Sequence, residues 1–204
     1  GGPTISGRIG TETGTRVELG PMRVTATPIQ QGGPTAGATV TNATFELTGI
    51  IGPSALRFER LPSGWIVKSV TAGGTDITDV PLDFRGTEQV SVRVVLTDRI
   101  TQVSGTVRHD PCPRGAAVLV FPEDRTKWTP TSRYVRTVRA GDAGQFTIGG
   151  LPSDERYLAV ALEYLETGEH LDADFLSRIR PLATSVPSAN GQPILLDLTL
   201  QARP

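Results

Sequence analysis

Ile5-Ser-Gly-Arg-Ile9 returns as Val103-Ser-Gly-Thr-Val107, 98 positions later, and this pair of short stretches decides how the chain of 204 residues is read. Two further matches follow in the same order. Phe45-Glu-Leu-Thr-Gly-Ile50 corresponds to Phe146-Thr-Ile-Gly-Gly-Leu151 at an offset of 101, and Val92-Arg-Val-Val-Leu96 to Leu196-Asp-Leu-Thr-Leu200 at 104. A preserved order with a slowly drifting offset is the mark of two copies of one unit that differ by small loop insertions. Each copy is about 100 residues long, within the size range of a domain with its own core. The boundary is expected in Thr97-Asp-Arg-Ile-Thr101, giving units 1–99 and 100–204, and so short a connection is expected to restrict how the units move.

Within each copy the apolar residues recur mostly at period two, in short runs ended by Gly, Pro, Asn or Asp, as in half-buried strands. Seven strands are expected in the first copy: 4–9, 22–27, 38–40, 44–48, 55–59, 65–70 and 90–96. Seven more are expected in the second: 102–108, 116–121, 133–140, 145–148, 157–162, 183–186 and 193–201. The 23 Gly and 16 Pro then punctuate turns. Asp142-Ala-Gly144 offers a residue tolerant of positive φ before a strand, and Asn190-Gly191 is a two-residue hairpin signal. One segment reads as a helix, about 172–180. Asp172 can cap it, Phe175, Leu176 and Ile179 share one side, and Pro181 stops it. The fold class expected is all-β: two tandem seven-stranded antiparallel Ig-like or transthyretin-like β-sandwiches, the second with one short helix.

Charge narrows the function classes. With 20 Lys and Arg against 21 Asp and Glu the net charge is −1, so the positive field of a nucleic-acid binder or polybasic membrane protein is missing, and neither partner is expected. No apolar run approaches the roughly 18 residues of a transmembrane helix. The Gly1-Gly2-Pro3 start, without Met, reads as a processed or excised segment. The single Cys112 has no disulfide partner within the chain, and no Cys/His cluster suits zinc.

Val103-Ser-Gly-Thr-Val107, Gly141-Asp-Ala-Gly-Gln-Phe146, Gly150-Leu-Pro152 and Tyr157-Leu-Ala-Val160 together resemble the carboxypeptidase regulatory-like domain. That resemblance covers nearly the whole chain. It implies a transthyretin-like seven-stranded sandwich, often in tandem in bacterial exported proteins and an accessory to catalytic units. Copy one departs from the pattern, with Val40-Thr-Asn-Ala-Thr44 where the turn Asp-x-x-Gly belongs and Ile51-Gly-Pro53 in place of Leu-Pro.

Catalytic constellations are thin. His170-Leu-Asp172 sets a base near an acid, but capping of the helix accounts for the acid. His109-Asp-Pro-Cys112-Pro reads as a surface turn and lacks any signature of a thiol protease. Asp76, Asp79 and Asp83, spaced by three and four, do not match a calcium loop; they would converge on a cation if Gly73 to Asp83 is one irregular loop, but such acids are more often solvated turn formers. No catalytic residue, metal or cofactor is therefore expected, and the chain reads as no enzyme. The best binding candidate is the acid-free basic stretch 125–139, where Arg125, Trp128, Arg133, Tyr134, Arg136 and Arg139 offer guanidinium and aromatic groups to a glycan or a peptide carboxylate. The competing reading is a strand with its arginines in water and Trp128 over a core edge. Asn42-Ala-Thr44 is formally an N-glycosylation acceptor.

The resulting expectation is a non-catalytic extracellular structural or interaction module, secreted, periplasmic or on a bacterial cell surface. It would be a self-assembling filament or envelope subunit joined through edge strands to itself or to domains of a parent protein. The alternative is a carbohydrate- or peptide-binding accessory module of a larger exported protein.

Overall fold

The computed structural model describes residues 2–30, 32–84, 88–109, 115–189 and 192–204. Asn190-Gly191 and residues 110–114, including Cys112, lie outside them. The described chain is all-β with one short helix, and it divides into two compact units, Gly1–Asp98 and Arg99–Pro204. No helix among the described residues is long and apolar enough to cross a membrane.

The first unit contains β1 (Thr4–Thr11), β2 (Arg23–Pro28), β3 (Ala36–Thr39), β4 (Thr44–Thr48), β5 (Ser54–Glu59), β6 (Ile66–Ala72), β7 (Thr75–Asp76) and β8 (Gln89–Thr97). They form a five-stranded sheet ordered β4-β1-β8-β6-β7 and a three-stranded sheet ordered β3-β2-β5. Alternation explains how the sheets meet. Ile5 and Ile9 of β1, Leu47 of β4 and Val94 of β8 turn inward from one sheet, Val24 and Ala26 of β2 from the other, and all join one buried cluster.

The second unit contains β9 (Ile100–Arg108), β10 (Ala117–Pro122), β11 (Arg136–Arg139), β12 (Gln145–Pro152), β13 (Tyr157–Leu162), α1 (Ala173–Ile179), β14 (Thr184–Ser185), β15 (Ile194–Leu195) and β16 (Leu198–Gln201). Where two facing sheets were expected, its strands join one continuous sheet, β11-β10-β13-β16-β9-β12, with β14 beside β13 and β15 beside β9, whose two ends share one inner core.

The three segments that match between the copies lie side by side in each unit, as β4-β1-β8 and as β12-β9-β16. Their registers correspond: Gly7 stands opposite Phe45 and Ile5 opposite Leu47, as Gly105 stands opposite Phe146 and Val103 opposite Ile148. Both motif glycines stand at close approaches, one to a ring and one to backbone. A Cβ on Gly7 would lie 2.1 Å from the Phe45 ring, and one on Gly105 would lie 1.9 Å from the Leu196 carbonyl oxygen.

Several expectations need correction. Neither unit is purely antiparallel, because β1 runs parallel to β8 over its whole length and β9 runs parallel to β15 and β16. First and last strands can pair this way because the rest of the unit serves as the long crossover that parallel pairing needs. Eight strands, not seven, are described in each unit, the additions being two-residue pieces and a break in the stretch 193–201. That break occurs where Leu196 N–H donates to the Ser104 carbonyl and the Asp197 carboxylate accepts the Thr106 N–H, so the chain crosses over Gly105 without laddering. The stretch 133–140 becomes strand only at Arg136, after a turn in which Ser132 N–H donates to Thr129 O. The strands flanking Asn190-Gly191 do not form a hairpin, since β14 pairs with β13 and β15 with β9.

After β5 the first unit continues into β6 and β7. After β13 the second unit continues into α1. The Asp172 carboxylate accepts the Asp174 N–H at 2.9 Å, and Phe175, Leu176 and Ile179 are buried. They cover the outer face of β10 and β13, so every residue of these two strands is buried. Val118, Val120, Ala159 and Ala161 enter the inner core, while Leu119, Phe121, Leu158 and Val160 enter an outer core with the helix.

Candidate functional site

The basic stretch 125–139 is built onto that outer core. Asp124 caps a short 3₁₀ turn, Arg125–Lys127, by accepting the N–H and hydroxyl of Thr126 at 2.9 and 2.7 Å, and these bonds hold its carboxyl below the usual range. The turn swings Trp128 inward. Its indole N–H donates to Pro122 O at 2.8 Å, its ring meets Phe121 edge-on at 5.8 Å, and only 6% of it is exposed. The Arg125 guanidinium stands 5.4 Å above the indole. Tyr134 is also buried, with Lys127 at 4.5 Å and Arg133 at 5.0 Å from its ring, and Arg133 Nη2 donates to its hydroxyl at 3.0 Å. Lys127 pairs with Glu155. Burial opposes its charge, but the hydrogen bond to Glu155 and the nearby acids raise its pKa overall.

The aromatic platform is therefore not on offer: Trp128 and Tyr134 are core residues whose faces are already taken, and Arg125, Lys127 and Arg133 are stacked on them. Burial of Trp128 is favoured because α1 supplies the apolar partner that a bare sheet face lacks, while Tyr134 joins the inner core with Val118, Val120 and Tyr157. Arg136 and Arg139 separate from the cluster. They sit exposed on β11, opposite Val120 and Ala117, and make no ion pair among the described residues. Charges in this place deter further strand pairing.

The other candidates resolve into local structure. His170 lies in a 3₁₀ turn, Glu169–Leu171, burial lowers its pKa, and Asp172 beside it is engaged in capping. Asp76 accepts the N–H and hydroxyl of Thr78 at 2.8 and 2.6 Å. Among the described residues no three His, Cys, Asp or Glu side chains gather for a metal ion. Asn42 is exposed at φ +50 beside Ala43 at φ +59, the two central positions of a tight turn closed by hydrogen bonds of 2.9 Å in both directions between Thr41 and Thr44. Asn tolerates that conformation where most side chains do not, which is how copy one turns without a glycine.

Residues that sequence reading did not single out lie on the sheet edges. In antiparallel pairing, alternate residues point their backbone N–H and C=O toward the partner and away from it. Ile9 N–H donates to Ala43 O, which sets the ladder of β4 so that Phe45 and Leu47 bond β1 while Glu46 and Thr48 face outward. Val107 N–H donates to Gly144 O, so Phe146 and Ile148 of β12 bond β9 while Gln145 and Thr147 face outward. Gly141 N–H takes up the Gln145 carbonyl at 2.8 Å, and Thr147 stays open. β4 and β12 are equivalent strands, and each ends its sheet with no strand beyond it among the described residues. The alternation that announced the strands also marked these polar positions as outward; what it lacked was strand order.

No family model matches the chain, and no curated protein sequence matches it. Solved structures similar to it include the Bacillus anthracis TIE protein, at 9% identity and a TM-score of 0.34 over 98% of this chain and 34% of that one. A streptococcal ancillary pilin is 15% identical with a TM-score of 0.31, over 97% of this chain and 62% of that one. The shaft pilin SpaA of Lactobacillus rhamnosus GG is 11% identical with a TM-score of 0.31, over 98% and 97%. The chain spans about a third of the first of these and less than two thirds of the second. Scores this low do not establish a shared fold, and the resemblance to the carboxypeptidase regulatory-like domain rests on the sequence motifs alone.

Proposed function

We propose that this chain is a non-catalytic structural or interaction module of an exported or cell-surface bacterial protein. It consists of two tandem sandwiches of carboxypeptidase regulatory-like type and joins copies of itself, or other domains of its parent, through the open edges of β4 and β12. The observation that carries this reading is the equivalence of those edges. The same strand of each unit presents outward backbone groups, Glu46 and Thr48 in one and Thr147 in the other, flanked by exposed polar side chains. An unpaired N–H and C=O row is a ready template for another strand, and the bonds it forms require no special side chain. The remaining edges are poorer: β7 has two residues, β3 and β11 have four each and β11 carries Arg136 and Arg139, and β5 is bridged at Ser54 by Leu82.

Proline substitution tests this because it removes one N–H. At Glu46 and Thr147 that N–H points outward, so the internal ladder is spared. Sedimentation velocity over a wide concentration range should show self-association of the unaltered chain and its loss in the Glu46→Pro, Thr147→Pro double variant. A strictly monomeric unaltered chain, or a double variant that assembles undiminished, contradicts the proposal.

A further inference from the structure

Arg8 of β1 and Arg93 of β8 are partners in the parallel register of the two strands, so they stand side by side on one face of the first sheet. Alternation sets which face. Ile5 and Ile9 of β1 and Val92 and Val94 of β8 are buried inward, while Ser6, Arg8, Ser91 and Arg93 are exposed on the outer face. Neighbouring strands lie about 4.8 Å apart, so two guanidiniums project from adjacent positions of one row. The row continues as Thr44, opposite Arg8, and Thr71, opposite Arg93. It holds no carboxylate until Asp76 of β7, which already accepts the N–H and hydroxyl of Thr78.

The adjoining row is Glu46, Ser6 and Ser91, with the two serine hydroxyls 3.4 Å apart. Like charges directly opposite one another destabilise a sheet, yet neither arginine makes an ion pair among the described residues, although Glu46 stands one row away. On the other side the next residue on that face of β1 is Gly10. It has no side chain, and nothing lies within 4 Å of where its Cβ would stand, so the pair is open from that direction. Arg93 and Gly10 border a depression there that also carries Arg16 and Asn42, with Glu18 its one carboxylate among the described residues.

We propose that Arg8 and Arg93, with the Ser6 and Ser91 hydroxyls, bind a tetrahedral oxyanion, the phosphate or sulfate group of a ligand. The array is one of donors. A guanidinium has five N–H donors and no acceptor, and it meets an oxyanion with two parallel bonds. Two such forks beside two hydroxyls offer more donors than the two oxygens of a carboxylate can take, and they suit an anion with three or four. An anion held between the like charges also turns an unfavourable pair into a favourable one. The site lies wholly within the first unit and does not depend on assembly.

Amide NMR signals of the full chain, followed as inorganic phosphate is added at constant ionic strength, test the site. Signals of Ser6, Arg8, Ser91 and Arg93 should move along a saturating curve, sulfate should give the same pattern, and acetate should bind about tenfold more weakly or worse. Arg8→Gln and Arg93→Gln should each weaken phosphate binding about tenfold, while Arg136→Gln on β11 leaves it unchanged. In phosphate-free buffer of low ionic strength, Arg93→Gln should also raise the urea midpoint of the first unit, because it removes the repulsion. Shifts that never saturate, acetate equal to phosphate, affinity untouched by either substitution, or a midpoint that falls with Arg93→Gln overturns the proposal. Should either glutamine variant disturb folding, Arg8→Lys with Arg93→Lys keeps the charge and removes the fork. Phosphate affinity should then still fall, and undiminished affinity in that variant overturns the proposal equally.

Discussion

Trp128→Ala separates a core tryptophan from a ligand platform. The indole is 6% exposed, lies edge-on to Phe121 and donates to Pro122 O. An aromatic side chain buries about 150–250 Å², worth about 4–6 kcal/mol at ~25 cal/mol/Å². Observed losses for such truncations run to about 3–5 kcal/mol, since neighbours relax in part. The expected loss is therefore about 4 kcal/mol, including the orphaned carbonyl of Pro122. With an m-value of about 2 kcal/mol/M in urea, the midpoint of the second unit falls by about 2 M. Amide exchange resolved by residue is the assay, because β10 and β13 should lose protection while β1 and β8 keep theirs. Trp128→Phe, which retains most of the ring but not the N–H donor, should lose much less. A loss below about 1 kcal/mol for the alanine variant would refute the outer core as an energetic unit and return Trp128 to the surface.

The two motif glycines should differ. In Gly7→Ala the new methyl meets a ring that can turn, costing about 1–3 kcal/mol, whereas in Gly105→Ala it meets the Leu196 backbone and should cost more; chemical denaturation ranks the two. Asp172→Ala removes the cap of α1 and should cost about 0.5–2 kcal/mol, read as faster exchange at Asp174. Asp197 accepts from Arg108 and from the Thr106 N–H, which holds its pKa below 3.8 in the folded state. Its contribution to stability is thus complete above that value and is lost as pH falls through the lower folded pKa. Unfolding midpoints measured from pH ~5 downward should decline less steeply in Asp197→Asn.

Much of this was legible along the chain because it is decided locally. Alternation located the strands, and Asp172 with Phe175, Leu176 and Ile179 located the helix and its buried side. Positive φ at Gly144 follows from its turn. What escaped depends on distant partners. The parallel pairing of β1 with β8 leaves no local trace, and a cap and an apolar stripe do not say which sheet face a helix will cover. The sequence does carry one signal of the outer layer: Ala116–Phe121 and Tyr157–Leu162 are apolar without alternation, the pattern of strands buried on both faces. Read so, they call for a second layer over β10 and β13, in which Trp128 packs beside α1, whereas Tyr134 joins the inner core.

The two units solve the same problem differently. The first extends its sheet with β6 and β7, the second covers its sheet with α1, and both leave the equivalent strand, β4 or β12, at the edge. Assembly through those edges is the central claim, and its most direct test is amide exchange at Glu46, Thr48 and Thr147 as concentration rises. Protection should increase at these three amides while Thr137 and Arg139, whose amides face outward on the edge of β11, stay unchanged. Exchange that is fast at all three and independent of concentration would contradict the claim.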